Sequence, residues 1–405
     1  MTRTVRRRRN GASKSRRRWP RGARRWLLLV LTVGIAGAVW WDRLPRAGRV
    51  LRTPEVSNGP PSAFERPSGT QPSPGEPAPG LFSPRSADPS GAFLEVEKPA
   101  WARTNRAASP AAGPESAETY PRPARTVLEA QVALARQVIS PGSIDGVWGE
   151  TTRRAVLAFQ EREGLPLSGE LDARTRNRLL LDAPAFTTYM LTADDFAGLQ
   201  PLSPTWLGKS QQSALEHETV LERLAERSQA SPTLLRRLNP ELDWERLSPG
   251  LTVQVPLARY PPPQVSAVRL VIRLSEKWVR AYDAEGRILA HFPCSIAARV
   301  EKRPLGRLEV VAVAENPNYT FDPELFPESE EGRVLGRKLI LPPGPNNPVG
   351  LAWIGLSRPG YGIHGTPHPE RIGRTESHGC FRLTNWDALY LLRLVRIGIP
   401  VEVEP

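Results

Sequence analysis

Between Leu51 and Tyr120 the chain carries thirteen prolines, many of them beside Gly, Ser or Ala. No helical or alternating apolar pattern persists through that stretch. Such a segment cannot bury enough apolar surface to offset the entropy of ordering it. Residues 42–122 therefore read as an extended, disordered tether, and whatever folds in this 405-residue chain must do so on either side of it. As a coil of about 70 residues the tether would span on the order of 45 Å.

Upstream of the tether, residues 1–25 hold twelve Lys and Arg and no acid. Taking those twelve from the net charge of +13 leaves +1 for the other 380 residues. The high isoelectric point thus describes one tail, and nothing suggests the basic folded face that a nucleic-acid partner would need. An uncharged apolar run follows over residues 26–41. It is short beside the roughly 20 residues of a typical span, but tryptophans at both ends suit the two membrane interfaces. The basic flank would keep the N-terminus cytoplasmic and send the remainder across the membrane. A cleaved signal peptide is the rival, with Ala36-Gly37-Ala38 as its cleavage site. The long basic region and the bulky Trp40-Trp41 favour an uncleaved anchor.

Beyond the tether, residues 123–185 follow a helical pattern. Leu128, Val132, Leu134 and Ala135 give a first apolar face that ends at Ser140-Pro141-Gly142. Thr151 or Thr152 is the expected cap of a second helix that buries Ala155, Val156 and Phe159. Gly169-Glu170-Leu171-Asp172 leads into a third helix. With Ile144-Asp145-Gly146, Gly149, Thr152, Phe159-Gln160, Gly164-Leu165 and Gly169, this segment resembles the three-helix peptidoglycan-binding domain type 1. A generic small helical bundle would share many of those positions. Residues 186–258 read as strand, helix (219–230), helix (from Ser231-Pro232 to Asn239-Pro240) and strand (251–256), an order similar to a LysM-type glycan-binding module.

From residue 265 to 405 strands dominate. Val268–Leu274 is a buried run, Lys277–Tyr282 alternates, and Asp283-Ala284-Glu285-Gly286 makes a hairpin turn into Arg287–Ala290. Further strands are expected at 308–313, 349–356 and 399–403, with one helix from Asn385 to Val395 that turns Leu389, Leu392 and Val395 inward. Three of the five histidines and one of the two cysteines fall between Tyr361 and Arg382.

In that window Cys380 has two candidate imidazole partners, His378 and His364, and a thiol becomes a nucleophile as its thiolate. Residues two apart on a strand share a face, which would aim His378 and Cys380 into one cleft. Gly379 lets a ligand backbone come close. His364 arrives from upstream, at the end of another strand. Ser377 and Thr366 add hydroxyls, and Arg382 adds a fixed positive charge suited to a carboxylate. A buried space-filling cysteine is the bland alternative. Zinc held by His364, His378 and Cys380 is another, although no standard zinc spacing is present. Cys294 lacks a histidine partner and reads as a core thiol, while a Cys294–Cys380 disulfide would block the nucleophile.

His364 followed after twelve residues by Ser-His-Gly-Cys-Phe-Arg resembles the signature of the L,D-transpeptidase catalytic domain, the YkuD family. Arg303-Pro304-Leu305-Gly306 and Gly344-Pro345-Asn346-Asn347-Pro348 are similar to upstream family segments, with Arg303 in place of the usual Thr. The resemblance covers essentially all of residues 265–405. It implies a β-sandwich that acts on peptidoglycan stem peptides, with the glycan as a further partner, in the periplasm. It also implies Cys380 as nucleophile and His364 as base, oriented by a backbone carbonyl near Gly365. Gly379 and His378 would flank the oxyanion, and Ser377, Arg382, Thr366 and Gly365 would line the substrate. No metal or organic cofactor is implied. An L,D-carboxypeptidase of the same fold and a non-catalytic wall-binding protein are the alternatives. The segments between residues 127 and 256 would then hold the enzyme on the wall without touching its chemistry.

Overall fold

The computed structural model describes residues 118–373 and 379–405. The basic tail, the apolar run and the tether up to residue 117 lie outside the described residues, as do Ser377 and His378. No helix of the described residues is long and apolar enough to cross a membrane.

The first module opens with β1 (Arg122–Pro123) and α1 (Val127–Arg136), which Thr126 caps by accepting from the Glu129 amide. Next comes α2 (Glu150–Arg162). Neither Thr151 nor Thr152 caps it: Gly149 does so without a side-chain bond. Thr152 is buried instead, and accepts a 3.0 Å hydrogen bond from Nε2 of Gln131 on α1. The same amide accepts from the Gly146 N–H at 2.7 Å, so one buried glutamine ties both helices to the loop between them. Asp172 caps α3 (Ala173–Arg178), and β2 (Leu180–Leu181) closes the module by pairing with β1.

The second module runs β3 (Phe186–Met190), α4 (Trp206–Gln211), α5 (Val220–Arg227), α6 (Pro232–Leu238) and β4 (Thr252–Pro256). β3 and β4 pair antiparallel from Phe186↔Pro256 to Met190↔Thr252, with α5 and α6 packed against them. The strand–helix–helix–strand order read from the sequence is present, but α4 lies in an insert between β3 and α5.

The third module contains β5 (Arg269–Arg273), β6 (Trp278–Tyr282), β7 (Ile288–Pro293), β8 (Gly306–Glu315), β9 (Tyr319–Phe321), α7 (Glu330–Leu335), β10 (Leu339–Leu341), β11 (Ala352–Leu356), β12 (Gly362–His364), β13 (Phe381–Arg382), α8 (Asn385–Leu394) and β14 (Pro400–Glu404). Eight strands form one hydrogen-bonded run in the order β13-β12-β11-β8-β14-β5-β6-β7. The ten-residue β8 joins its halves: residues 306–309 pair with β14 and residues 310–315 with β11. Leu270 and Ile272 from one half and Ile354 and Ile363 from the other share a core with Ala388, Leu391 and Leu394 of α8. That face of α8 is one residue out of phase with the expected one. Leu389, Leu392 and Val395 lie beside it, half-buried.

The modules pack against one another. β7 would be a free sheet edge, a liability for self-association, but residues 138–140 dock along it. The Ser140 N–H bonds to the His291 carbonyl at 2.8 Å, and the His291 N–H bonds to the Val138 carbonyl at 3.0 Å. Glu161 on α2 pairs with Arg280 on β6 at 2.7 Å. The second module is joined more deeply. Leu215 from its insert shares a small core with Phe321, Leu339 and Leu341, and Trp206 stacks on Phe321 with ring centroids 4.4 Å apart. Burying Leu215 and Phe321 stabilises by about 1.5–3 kcal/mol each. The Gly344-Pro345-Asn346 turn closes on the Leu215 backbone. A Cβ on Gly344 (φ +140°) would lie 2.3 Å from the Leu215 carbonyl oxygen, so only glycine fits there.

Candidate active site

β12 and β13 are parallel neighbours, with Ile363 opposite Phe381 and His364 opposite Arg382. Side chains directly opposite one another on neighbouring strands share a face, as do residues two apart on one strand. Cys380 immediately precedes β13, so it stands on the face that carries His364 and Arg382. The expected placement of His364 at a strand end is observed; Cys380 sits just ahead of a strand rather than within it. The Arg382 backbone is clamped on both sides. It exchanges hydrogen bonds of 2.9 and 3.0 Å with Ser295, and the next amide, of Leu383, donates to the His364 carbonyl at 2.8 Å.

His364 is 4% exposed. Its Nδ1 lies 2.7 Å from the Gly365 carbonyl oxygen. A carbonyl can only accept, so Nδ1 carries the proton and Nε2 presents a lone pair. The Trp353 ring, opposite His364 across the β11–β12 pair, stacks on the imidazole at 5.6 Å and 23°. Trp353 also explains a glycine. A Cβ on Gly362 would stand 2.6 Å from two atoms of the indole.

The electrostatics differ from the thiolate–imidazolium pair that neighbouring Cys and His residues suggest. Burial pushes His364 down to about 3, helped by the Arg382 guanidinium and opposed by the Gly365 carbonyl. Burial also raises the Cys380 thiol, against the Gly362 N–H and the Arg382 charge, which both favour a thiolate. The resting state at neutral pH is therefore a thiol beside a neutral imidazole. The Cys380 thiol lies 3.5 Å from the Gly360 carbonyl oxygen, a weak acceptor contact. Burial lowers the pKa of Arg382, and its Nε is buried without a hydrogen-bond partner among the described residues.

The other sequence-picked residues divide. Gly365 and Arg382 join His364 and Cys380. Thr366 is buried nearby, and its hydroxyl accepts from the His368 amide at 3.2 Å, which ties it into a local turn. Gly379 would place a Cβ no closer than 3.7 Å to the Tyr361 ring, so packing against the described residues does not demand glycine there. Ser377 and His378 lie outside the described residues, and with them the third ligand of the zinc alternative. Cys294 is a free, fully buried thiol that burial pushes up to about 12.

Three residues escaped the sequence reading. Tyr319 lies close enough to feel the Cys380 and Arg382 charges, and burial is the main cause of its raised pKa. Trp353 lies within the strand expected at 349–356, with no role assigned to it there. Thr384 caps α8, accepting from the Asp387 amide at 3.2 Å, and Asn385 is the first helical residue. The Asn385 amide turns into the floor beneath Gly365. Its Oδ1 accepts from the Leu351 N–H at 3.2 Å and would stand 2.3 Å from a Cβ on Gly365. Buried side chains reached from distant segments leave no periodic signal in a sequence.

Comparison with known proteins supplies the family. Residues 267–403 match the YkuD family model, described as the L,D-transpeptidase catalytic domain. These residues are an L,D-transpeptidase catalytic domain. Residues 124–179 match a peptidoglycan binding domain. The chain is similar to a Bacillus licheniformis protein named as an L,D-transpeptidase, YkuD, at 28% identity over 186 residues, covering 46% of this chain and 94% of that protein. A Fuscovulum blasticum protein, also named for L,D-transpeptidase activity, is 34% identical over 122 residues, covering 30% of this chain and 61% of its own length. Among solved structures, the L,D-transpeptidase of Xylanimonas cellulosilytica aligns at 16% identity and a TM-score of 0.30, covering 71% of this chain and 99% of that one. Cys380, His364 and Arg382 all fall within the matched residues.

Proposed function

We propose that this protein is an envelope L,D-transpeptidase acting on peptidoglycan tetrapeptide stems. Cys380 attacks the carbonyl of the third stem residue, a diaminopimelate, and its proton passes to Nε2 of His364. The tetrahedral oxyanion is held by backbone N–H groups of Cys380 and Gly379, with His378 beside them. Its collapse breaks the bond to D-alanine, which leaves as an amine carrying the proton from His364. The resulting thioester is resolved by an acceptor amine, whose proton returns through His364 to the restored thiol. Arg382, Ser377, Thr366 and Gly365 position the donor stem, Arg382 through its carboxylate-matching guanidinium. No metal or organic cofactor takes part.

The observation that carries this reading is the bare Nε2 of His364, fixed by the Gly365 carbonyl, on the same strand face as Cys380 and Arg382. Around it we place the finer architecture. Residues 1–25 are a cytoplasmic tail, 26–41 a membrane anchor, 42–122 a tether, 123–185 a peptidoglycan-binding module, 186–258 a LysM-like glycan module and 265–405 the periplasmic catalytic domain. The deciding experiment incubates the purified protein with tetrapeptide-rich muropeptides and follows products by mass spectrometry. Cross-linked dimers with loss of one D-alanine are expected, and Cys380→Ser should give none. Tripeptides alone would assign water as the acceptor and make the protein a carboxypeptidase, and unchanged muropeptides with intact binding would make it a wall-binding protein.

A further inference from the structure

The catalytic histidine is braced from below by a chain of contacts that begins in another module. His364 depends on the Gly365 carbonyl for its tautomer. Gly365 lies against the Asn385 amide so closely that a side chain could not fit between them, and Gly350 meets the same amide with even less room. Asn385 itself is fully buried. Its Oδ1 is fixed by the Leu351 N–H at 3.2 Å, and its Nδ2 donates to the Pro345 carbonyl at 3.1 Å and to Oε2 of Glu226 at 2.7 Å. Glu226 is not part of the transpeptidase domain. It lies on α5 of the second module, mostly buried, with its other oxygen 3.7 Å from Nε2 of His217.

The charge matters to the orientation of that amide. Asn side chains can turn over, exchanging donor and acceptor. Facing a carboxylate, Asn385 can present only its NH2 to Glu226, so Oδ1 must face Leu351 and the Gly365 backbone. A charge-assisted bond of this kind is stronger than a neutral one. We infer that Glu226 is a positioning residue for the transpeptidase reaction: through Asn385 it locks the Gly350–Leu351 and Gly365 backbone, and so holds the His364 imidazole at its proton-transfer geometry. The second module is then a structural part of the active site, whatever glycan it binds. The inference rests on the proposed Cys380–His364 chemistry.

Acylation of Cys380 in the full chain by a carbapenem, followed by mass spectrometry and stopped-flow, tests it. If the wild-type protein does not acylate at Cys380, the proposed chemistry fails, and this inference with it. Given wild-type acylation, Glu226→Ala should slow the maximal rate roughly tenfold, the loss expected from one charge-assisted hydrogen bond. The half-saturating carbapenem concentration should stay within about twofold, because no group that touches the ligand has changed. Glu226→Asp, which keeps the charge and the fold but withdraws the carboxylate by one methylene, should show the same direction. Glu226→Gln still offers a carbonyl oxygen to Asn385 and should recover most of the rate.

Glu222, one turn earlier on α5, is the control. Its Oε1 accepts from Asn346 Nδ2 at 2.7 Å across the same junction, one residue along from the Pro345 carbonyl that Asn385 also reaches, but it makes no bond to Asn385 itself. Glu222→Ala should leave the maximal rate within about twofold even if it lowers the melting temperature. Equal slowing by Glu222→Ala and Glu226→Ala would reduce Glu226 to a docking contact and overturn the inference. So would folded Glu226→Asp or Glu226→Ala protein acylating at the wild-type rate.

Discussion

Gly362→Ala puts a single methyl group between two buried features of the transpeptidase domain. The new Cβ would stand 2.6 Å from Cζ2 and Cη2 of Trp353 and 3.0 Å from the Ile354 carbonyl oxygen. Ordinary contact begins near 3.4 Å, so the indole must give by about 0.8 Å. Trp353 is 6% exposed, so the ring is packed on nearly all sides. Overpacking of this kind costs about 1–3 kcal/mol. At roughly 2–4 °C per kcal/mol, the melting temperature should fall by about 2–12 °C. The functional effect should be larger than the stability effect suggests, because the displaced ring is the one stacked on His364. A shift near 1 Å in a catalytic group can cost up to about a hundredfold in rate. Carbapenem acylation of the folded variant, measured well below its melting temperature, should therefore slow by roughly ten- to a hundredfold. A variant that melts and acylates like wild type would show that the ring can move freely and that its stacking does not hold the imidazole.

The remaining expectations concern protons, metal and the second thiol. Cys380→Ser should abolish carbapenem acylation, whereas Cys294→Ala should retain it and lose only packing stability in a thermal melt; acylation surviving in Cys380→Ser would remove Cys380 from the mechanism. With His364 neutral above about pH 4 and the thiol raised, the acylation rate should climb with pH beyond neutrality without a break near 6.5; an inflection at 6.5 would mean that His364 titrates as a solvent-exposed imidazole. A chelator should leave acylation unchanged, and loss of acylation that zinc restores would revive the set His364, His378 and Cys380 as metal ligands. Asp387 accepts from the Ser140 hydroxyl at 2.9 Å and from Tyr260, and burial raises its carboxyl to about 7. Its folded form therefore binds the proton more tightly than the unfolded chain does, and stability associated with it falls as pH rises from about 4 through 7. Melting temperatures of Asp387→Asn and wild type should then shift in favour of the variant between pH 5 and pH 8, and a constant difference across that range would contradict the raised carboxyl.

How far the sequence reaches depends on whether a feature is local. The hairpin at Asp283–Gly286, the helix after Thr384 and the strand ending at His364 all follow from short-range pattern and turn chemistry, and all are present. The neighbourhood of the Cys380 and His364 segments was legible because the spacing of rare residue types survives in a linear string, and β12 and β13 are indeed parallel neighbours. The α8 face was misplaced by one residue because Leu389 and Leu392 are as apolar as Leu391 and Leu394, and only the sheet beneath decides which row goes inward. The capping of α2 was misjudged because Thr152 has a competing partner in Gln131, twenty-one residues away in sequence. The packing between the modules escaped the sequence for the same reason. Leu215, Glu226 and Gly344 look like an ordinary apolar residue, an ordinary helix charge and an ordinary turn until their partners from another module are known.

Desolvation of the proposed Cys380–His364 pair reconciles two demands on a thiol enzyme. A low-pKa, exposed thiolate is a strong nucleophile but also the form most readily oxidised or drawn into disulfides. Here desolvation keeps Cys380 as a thiol at rest, and Cys294, the only other cysteine in the sequence, is sealed in the core as a thiol too. In the proposed reaction, charge develops only when a substrate carbonyl arrives and the proton moves to Nε2 of His364. In a site of low polarity that separation of charge is costly unless fixed dipoles and charges already face it. The Gly365 carbonyl supports the imidazolium through Nδ1, and the Gly362 N–H and the Arg382 guanidinium favour negative charge at sulfur. Each of these acts from the backbone or from β13, whose amides are clamped by Ser295 and His364. On the proposed mechanism, rigidity in the strands is a condition of reactivity, and the inferred bracing of β12 from beneath serves the chemistry.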